Sequence, residues 1–289
     1  MNLAVVRTDT GPRVVVRRRG DEVVQTAYRS LRAALEANLQ HSHALREGAP
    51  VDPATLEFAP VADRDAKVFC IGHNYRAHIR EMGHDLPTHP NVFSKFGSAL
   101  VGATDAIELD RAAAQWDWEA ELAVVIGGRT RRVTPQAARA QIAGYTVAND
   151  ISARDWQRRS SQWLLGKTFE KTTPVGPWLV TPDEVDPEDG LDVRCLVDGV
   201  EKQAASTADL LFRPAFLVSY LSQVLTLEPG DVVLTGTPGG VGAARTPAER
   251  LTPGQTVRTE IDGLGCLVNT CIGTGSPEQV PTSTGTTSA

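Results

Sequence analysis

The sequence predicts a β-rich α+β fold. Short apolar runs rich in Val, Ile and Leu recur along the chain, Gly, Pro and Asp punctuate them, and the helical patterns are few and short. A doubly wound parallel sheet fits less well, because strands do not alternate with long helices. Residues 3–6 and 14–16 read as strands, and 28–39 has helical spacing through Leu31, Ala34, Leu35 and Leu39. Residues 47–65 read as loop or linker, with Pro50, Pro53 and Pro60. Residues 1–60 are therefore expected to form a small N-terminal domain, and 66–273 the main one. That body opens on a strand at 67–71. Residues 119–126 form a strand closed by Gly127 and Gly128. Thr134 caps a helix running to 143, with Pro135 at its first position and Gly144 past its end. A strand at 145–148 and a short helix at 152–159 follow. Further strands are predicted at 178–181, 192–197, 231–234, 256–261 and 265–268, with a helix at 215–224. Residues 274–289 are Ser, Thr, Gly and Pro with almost no apolar content, and are expected to be a disordered tail.

Composition narrows the class. Of 289 residues, 41% are hydrophobic and 22% charged, values of a soluble globular protein with a sizeable core. Lys plus Arg is 29 against 35 Asp plus Glu, a net charge of −6 that argues against a nucleic-acid partner. No apolar run approaches the length of a membrane span, and the four apolar residues before Arg7 fall short of a signal-peptide core. Cys70, Cys195, Cys266 and Cys271 form no C-x-x-C pair and are too sparse for a disulfide scaffold, so a reducing, cytoplasmic setting is expected. All six histidines precede residue 90; chemistry later in the chain must proceed without imidazole.

Five constellations could carry chemistry. In a strand, Glu119 and Glu121 project from one face and could chelate a divalent cation, or simply meet water. Asp150 sits at a strand–helix junction, as a cap or as a site residue, with Arg154 and Gln157 on one helical face behind it. Lys167 follows Gly166 in a run that resembles the end of a phosphate loop, but the glycine such a loop needs is Ser161, which rejects the nucleotide reading. Only five lysines accompany 24 arginines, so Lys167 could serve by charge on an anionic substrate, or lie on the surface. His78 and Glu81, three apart, could form a base whose tautomer the carboxylate fixes, or an exposed pair. The loop at 83–90 has the composition of a mobile lid, with His84 and His89 as loop residues. Finally, the glycine-dense loop at 234–242 offers Thr237 to a substrate carboxylate, or is a tight turn.

These runs occur together in one order: G-x-N-Y-x-x-H-x-x-E, W-E-x-E, N-D-x-x-x-R-D-x-Q, G-K-T-F and P-G-D-x-x-x-T-G-T-P-x-G-V-G. In that order the chain resembles the fumarylacetoacetate hydrolase family from about residue 67 to 272. The resemblance implies a mixed β-sandwich roll, a homodimer, and one Mg²⁺ (or Mn²⁺, with Ca²⁺ possible) on Glu119, Glu121 and Asp150. It implies a His78–Glu81 dyad on a lid, Lys167 as the catalytic lysine, and Arg154, Gln157 and Thr237 as substrate-binding residues. The chain departs from the family pattern after Lys167, where Thr-Phe-Glu-Lys replaces Ser-Phe-Asp, and at 211–215.

The activity so implied is metal-dependent hydrolysis of a C–C bond in an acylpyruvate or 1,3-diketo acid, in the catabolism of aromatic compounds. The same enolate-stabilising site serves oxaloacetate-type decarboxylation and hydroxymuconate-type isomerisation or hydration. A non-catalytic ligand-binding protein is the alternative of another class. The expected partner is a small anionic 2-oxo or diketo acid, with no nucleic acid and no membrane.

Overall fold

The computed structural model describes residues 1–17, 21–40, 45 and 48–275, without the side chains of 39 and 40. Among these residues a large mixed sheet runs in the order Ala49–Val51, Val23–Gln25, Arg13–Arg17, Asn2–Arg7, Thr173–Val180, Ile142–Asn149, Ala120–Ile126, Val232–Leu234, Val68–Gly72, Asn91–Lys95. Val232–Leu234 pairs parallel with Val68–Gly72, and the other neighbours on this path are antiparallel. A five-stranded sheet (Val200–Ser206, Asp192–Val197, Thr256–Ile261, Gly265–Thr274, Ile107–Asp110) packs against one face. The β-rich α+β class expected from the sequence is the class observed.

The central strand, Ala120–Ile126, is buried at every position. Alternation sends Leu122, Val124 and Ile126 into the core shared with Val193, Cys195, Val257 and Leu267. Ala123 and Val125 point the other way, to Val68, Cys70, Leu234 and the helix Leu31–Gln40 with its Leu31, Ala34 and Leu35. This continuous apolar run reads as it does because both faces of the strand are covered.

Residues 1–60 do not stand apart. Asn2 and Leu3 pair with Val180 and Leu179, extending the main sheet, and Leu3, Val5, Val14 and Val16 enter the same core as Cys70 and Leu234. The composition shift near residue 60 falls in a loop whose Val61 and Ala62 are buried in that same core. The helix expected at 152–159 is shorter: Ser152–Ala153 pairs with Trp116–Asp117, and only Arg154–Gln157 is helical. The helix capped by Thr134 ends at Arg139, because Ile142 already begins the next strand. Val200–Ser206 was not expected, being polar and at a sheet edge. The last strand reaches Thr274, so the tail expected at 274–289 begins no earlier than 275; 276–289, like His41 and His43, lie outside the described residues.

Candidate metal centre

Glu119 immediately precedes the central strand and Glu121 lies within it, so the pair shares the parity of Ala123 and Val125. The neighbouring strand, Ile142–Asn149, delivers Asp150: its N–H donates to the Glu119 carbonyl at 2.8 Å, placing the two residues opposite each other. Asp150 therefore faces the same side. The three buried side chains each offer a carboxylate oxygen, all within 4.8 Å of one another. Oxygens in the shell of one hard cation stand about 3 to 4.5 Å apart at metal–oxygen distances of about 2.1 to 2.5 Å.

Cations surround two of the acids. Lys167 Nζ lies 2.6 Å from Glu119 Oε2 and 3.0 Å from Asp150 Oδ2. Lys95 Nζ donates to Asp150 Oδ1 at 2.5 Å and to the Ile151 carbonyl at 3.1 Å. Arg154 Nη2 lies 2.6 Å from Glu119 Oε1. Burial pushes the Glu119 carboxyl up, yet Lys167 and Arg154 together outweigh it and hold the group below the usual range. Burial disfavours the charged form of Lys167, but Asp150 and Glu119 keep its ammonium protonated.

Glu121 differs. Its Oε2 accepts the Gly236 N–H at 2.7 Å, and it has no ion pair within 4 Å among the described residues. Gly236 has φ of +99°, and a Cβ there would meet the Ile71 carbonyl at 2.8 Å, so only glycine lets this backbone reach the acid. Burial, with Asp150 and Glu119 nearby, pushes the Glu121 carboxyl well up. A divalent cation supplies the positive charge this corner lacks, and three hard carboxylates suit Mg²⁺, Mn²⁺ or Ca²⁺. The residues fit such an ion.

A cleft of about 570 Å³ reaches the triad at Glu119, walled by Phe93, Trp163, Val241, His73, His78 and Gln157, with Lys167 also on its lining. His78 sits in the helix Arg76–Glu81, its Nδ1 3.3 Å from Glu81 Oε2; the imidazole is 7% exposed and Glu81 61%. An ionised carboxylate only accepts, so a neutral ring making this contact donates from Nδ1 and keeps its lone pair on Nε2.

Each residue singled out in the sequence is thus at or beside the cleft, but two are tied differently from expectation. Arg154 gives Nε to Asp117 at 2.8 Å, Nη1 to Gln157 at 2.9 Å and Nη2 to Glu119, so its guanidinium orients protein groups. The Thr237 hydroxyl donates to the Ala120 carbonyl at 3.0 Å and accepts from Gln203 at 2.8 Å. Sequence reasoning missed Lys95, Asp117 and Gln203. The scarcity of lysine that drew attention to Lys167 applied equally to Lys95, and Asp117 continues the every-second-residue series of Glu119 and Glu121.

Buried acids converging at the base of a cleft with apolar walls, with an imidazole on its lining, form the site of an enzyme acting on small molecules. The chain belongs to the fumarylacetoacetate hydrolase family: residues 67–272 match the family described as Fumarylacetoacetate (FAA) hydrolase C-terminal. It is similar to "Oxaloacetate tautomerase FAHD2A, mitochondrial" of Bos taurus, 45% identical over 229 residues, 78% of this chain and 73% of that protein. Among solved structures it is similar to a fumarylacetoacetate hydrolase from Exiguobacterium antarcticum (TM-score 0.84, 31% identity, covering 95% of this chain and 100% of that one). It also resembles 5-carboxymethyl-2-hydroxymuconate delta-isomerase from Mycobacterium smegmatis (TM-score 0.78, 33% identity, 96% and 100% covered). Relatives named for tautomerisation and isomerisation stand beside those named for hydrolysis, so family membership does not by itself assign the hydrolase activity expected from the sequence. The cattle relative is named as mitochondrial, which leaves the expected cytoplasmic setting without support from that comparison. Among the described residues no helix is long and apolar enough to cross a membrane, and all four cysteines are free thiols.

Proposed function

We propose that this chain is a divalent-metal-dependent enzyme, a homodimer of a reducing compartment, that interconverts the keto and enol forms of a small 2-oxo acid of the oxaloacetate type. The observation that carries the reading is the convergence of Glu119, Glu121 and Asp150 beneath a cleft on which His78 lies. The 45% identity to a protein named as an oxaloacetate tautomerase supports it.

A divalent cation, with Mg²⁺ or Mn²⁺ the fitting choices, would be held by Glu119, Glu121 and Asp150 and would polarise the 2-oxo group as a Lewis acid. The chain's own residues do the rest. Glu81 holds the Nδ1 proton of His78, leaving Nε2 to take a proton from the carbon next to the carbonyl and to return one in the reverse direction. Lys167, kept charged by its two acids, stabilises the negative charge that develops on the substrate oxygen, whose proton exchanges with solvent. Arg154, fixed by Asp117, holds Glu119 in register for the ion. Gln157, on the cleft wall, offers its amide to a substrate oxygen. Thr237, fastened to Ala120 and Gln203, holds the loop that forms the opposite wall.

A second reading rests on the same dyad. His78 oriented by Glu81 is also the arrangement that activates water, and attack on the distal carbonyl of an acylpyruvate would add one water across the C–C bond and release two acids. The metal-loaded protein is to be given enol-oxaloacetate and acetylpyruvate in separate reactions followed by NMR. Accelerated enol-to-keto conversion at constant mass supports the tautomerase. Acetate and pyruvate from acetylpyruvate, with enol decay unchanged, would transfer the assignment to the hydrolase, and pyruvate with CO₂ from oxaloacetate to a decarboxylase. Inertness toward both substrates contradicts the enzymatic reading.

A further inference from the structure

Three arginines and lysines line the cleft: Arg154, Arg158 and Lys167. Arg154 is paired with Asp117 and Glu119, and Lys167 with Glu119 and Asp150. Arg158 alone of the three has no acidic partner within 4 Å among the described residues; its Nη1 donates to the neutral Gln115 Oε1 at 3.3 Å. The position of Arg158 is set by the short helix Arg154–Gln157, which it caps: its N–H donates to the Arg154 carbonyl at 3.1 Å. Residues four apart on a helix share a face, with Cβ atoms about 5 to 6 Å apart. Arg158 thus stands exposed one turn along from Arg154, at the rim where this cleft meets a neighbouring one that Gln115 lines.

We propose that Arg158 is a specificity-determining residue that selects 2-oxo acids bearing a second carboxylate. The inference rests on the tautomerase reading, whose oxaloacetate-type substrate is a diacid, and deepens it by naming the residue that recognises the second carboxylate. A 2-oxo acid that chelates an ion on the triad through its carboxylate and keto oxygens leaves its far end pointing up the cleft. In a four- or five-carbon diacid the two carboxylates are separated by about 4 to 5 Å, from carbon–carbon bonds of about 1.5 Å. That separation matches one helical turn. A guanidinium not committed to protein acids presents two parallel N–H groups to such a carboxylate, and the planar fork favours carboxylate over neutral groups. A monocarboxylic 2-oxo acid would leave Arg158 facing water, at no gain.

The test uses the full chain loaded with Mn²⁺ and two unreactive ligands sharing one chelating end: oxamate, with one carboxylate, and N-oxalylglycine, with two. Calorimetry on the wild type is expected to give N-oxalylglycine an affinity about tenfold higher than oxamate. Arg158→Gln is expected to abolish that preference while leaving oxamate affinity unchanged, and Arg158→Lys to retain part of it, since an ammonium keeps the charge without the fork. Equal affinity for both ligands in the wild type, or an undiminished preference in Arg158→Gln, overturns the proposal while leaving the chelating site intact. Binding of neither ligand in the presence of Mn²⁺ removes the chelating site, and the inference falls with it.

Discussion

Asp117 shows how much of the site depends on one side chain that touches no substrate. Its carboxylate accepts from the N–H groups of Trp118, Gly242 and Ala243 and from Arg154 Nε, at 2.7 to 3.0 Å, and it is buried. Asp117→Ala would leave those donors unsatisfied and Arg154 half-compensated. Breaking a buried pair from one side costs about 3 to 5 kcal/mol. Urea denaturation should show the loss as a lower midpoint with an unchanged slope, and an unshifted midpoint would contradict the role assigned. His73 carries a pH dependence. It holds φ of +56°, and its ring lies 5.8 Å from His84 and 5.6 Å from Trp163. Burial, with His84 and His78 as further causes, lowers its pKa from the ordinary 6.5. The unfolded chain therefore binds this proton more readily, so the contribution of His73 is present above pH 6.5 and is lost as pH falls through the lowered folded value. His73→Asn, which tolerates the left-handed backbone, should flatten the acid-side decline in Tm; an identical decline would show that His73 does not titrate in this way.

Elements explain why part of this was legible beforehand. The strands at Asp192–Val197 and Thr256–Ile261 match expectation end to end, because alternate residues face a core and turn residues bound them. Glu119 and Glu121 were likewise readable as a pair from the period of two. Convergence with Asp150 was not, because it depends on which strand lies beside which, and at what register; only the resemblance to a family supplied it. Lys95 reaches Asp150 from the far end of the sheet path, a relation that no local pattern contains. Val200–Ser206 and Ile107–Asp110 escaped notice as short or polar edge strands. Gly166 was readable only as a broken phosphate-loop signature. Its function is steric: a Cβ there would lie 2.4 Å from Gln157 N and 2.5 Å from Gln157 Cα, so the glycine lets the helix Leu164–Lys167 pack onto Arg154–Gln157 and bring Lys167 to the acids. Gly166→Ala must separate the two helices, at about 1 to 3 kcal/mol. A thermal melt should register that loss together with a fall in turnover, and an alanine variant with wild-type Tm and rate would show that the contact is dispensable.

At the scale of the whole molecule, the N-terminal strands complete the sheet that delivers the acids. A chain beginning at residue 61 would expose the edge of Thr173–Val180 and strip Leu3, Val5, Val14, Val16 and Leu31 from a shared core. Such a truncation should aggregate or bind hydrophobic dyes; a cooperative melt with native-like circular dichroism would show that the remainder folds alone. What the complete sheet achieves is the placement of three like charges from two adjacent strands around one point, tolerated because cations balance two of them and an ion is expected for the third. The most direct measurement is a calorimetric titration of Mn²⁺ into the intact chain and into Glu121→Gln. One ion per chain is predicted for the wild type, with affinity reduced more than about 100-fold in the variant, beyond the loss typical of residues that merely support ligands. Undiminished Mn²⁺ affinity in Glu121→Gln, or no binding by the wild type, would contradict the metal centre.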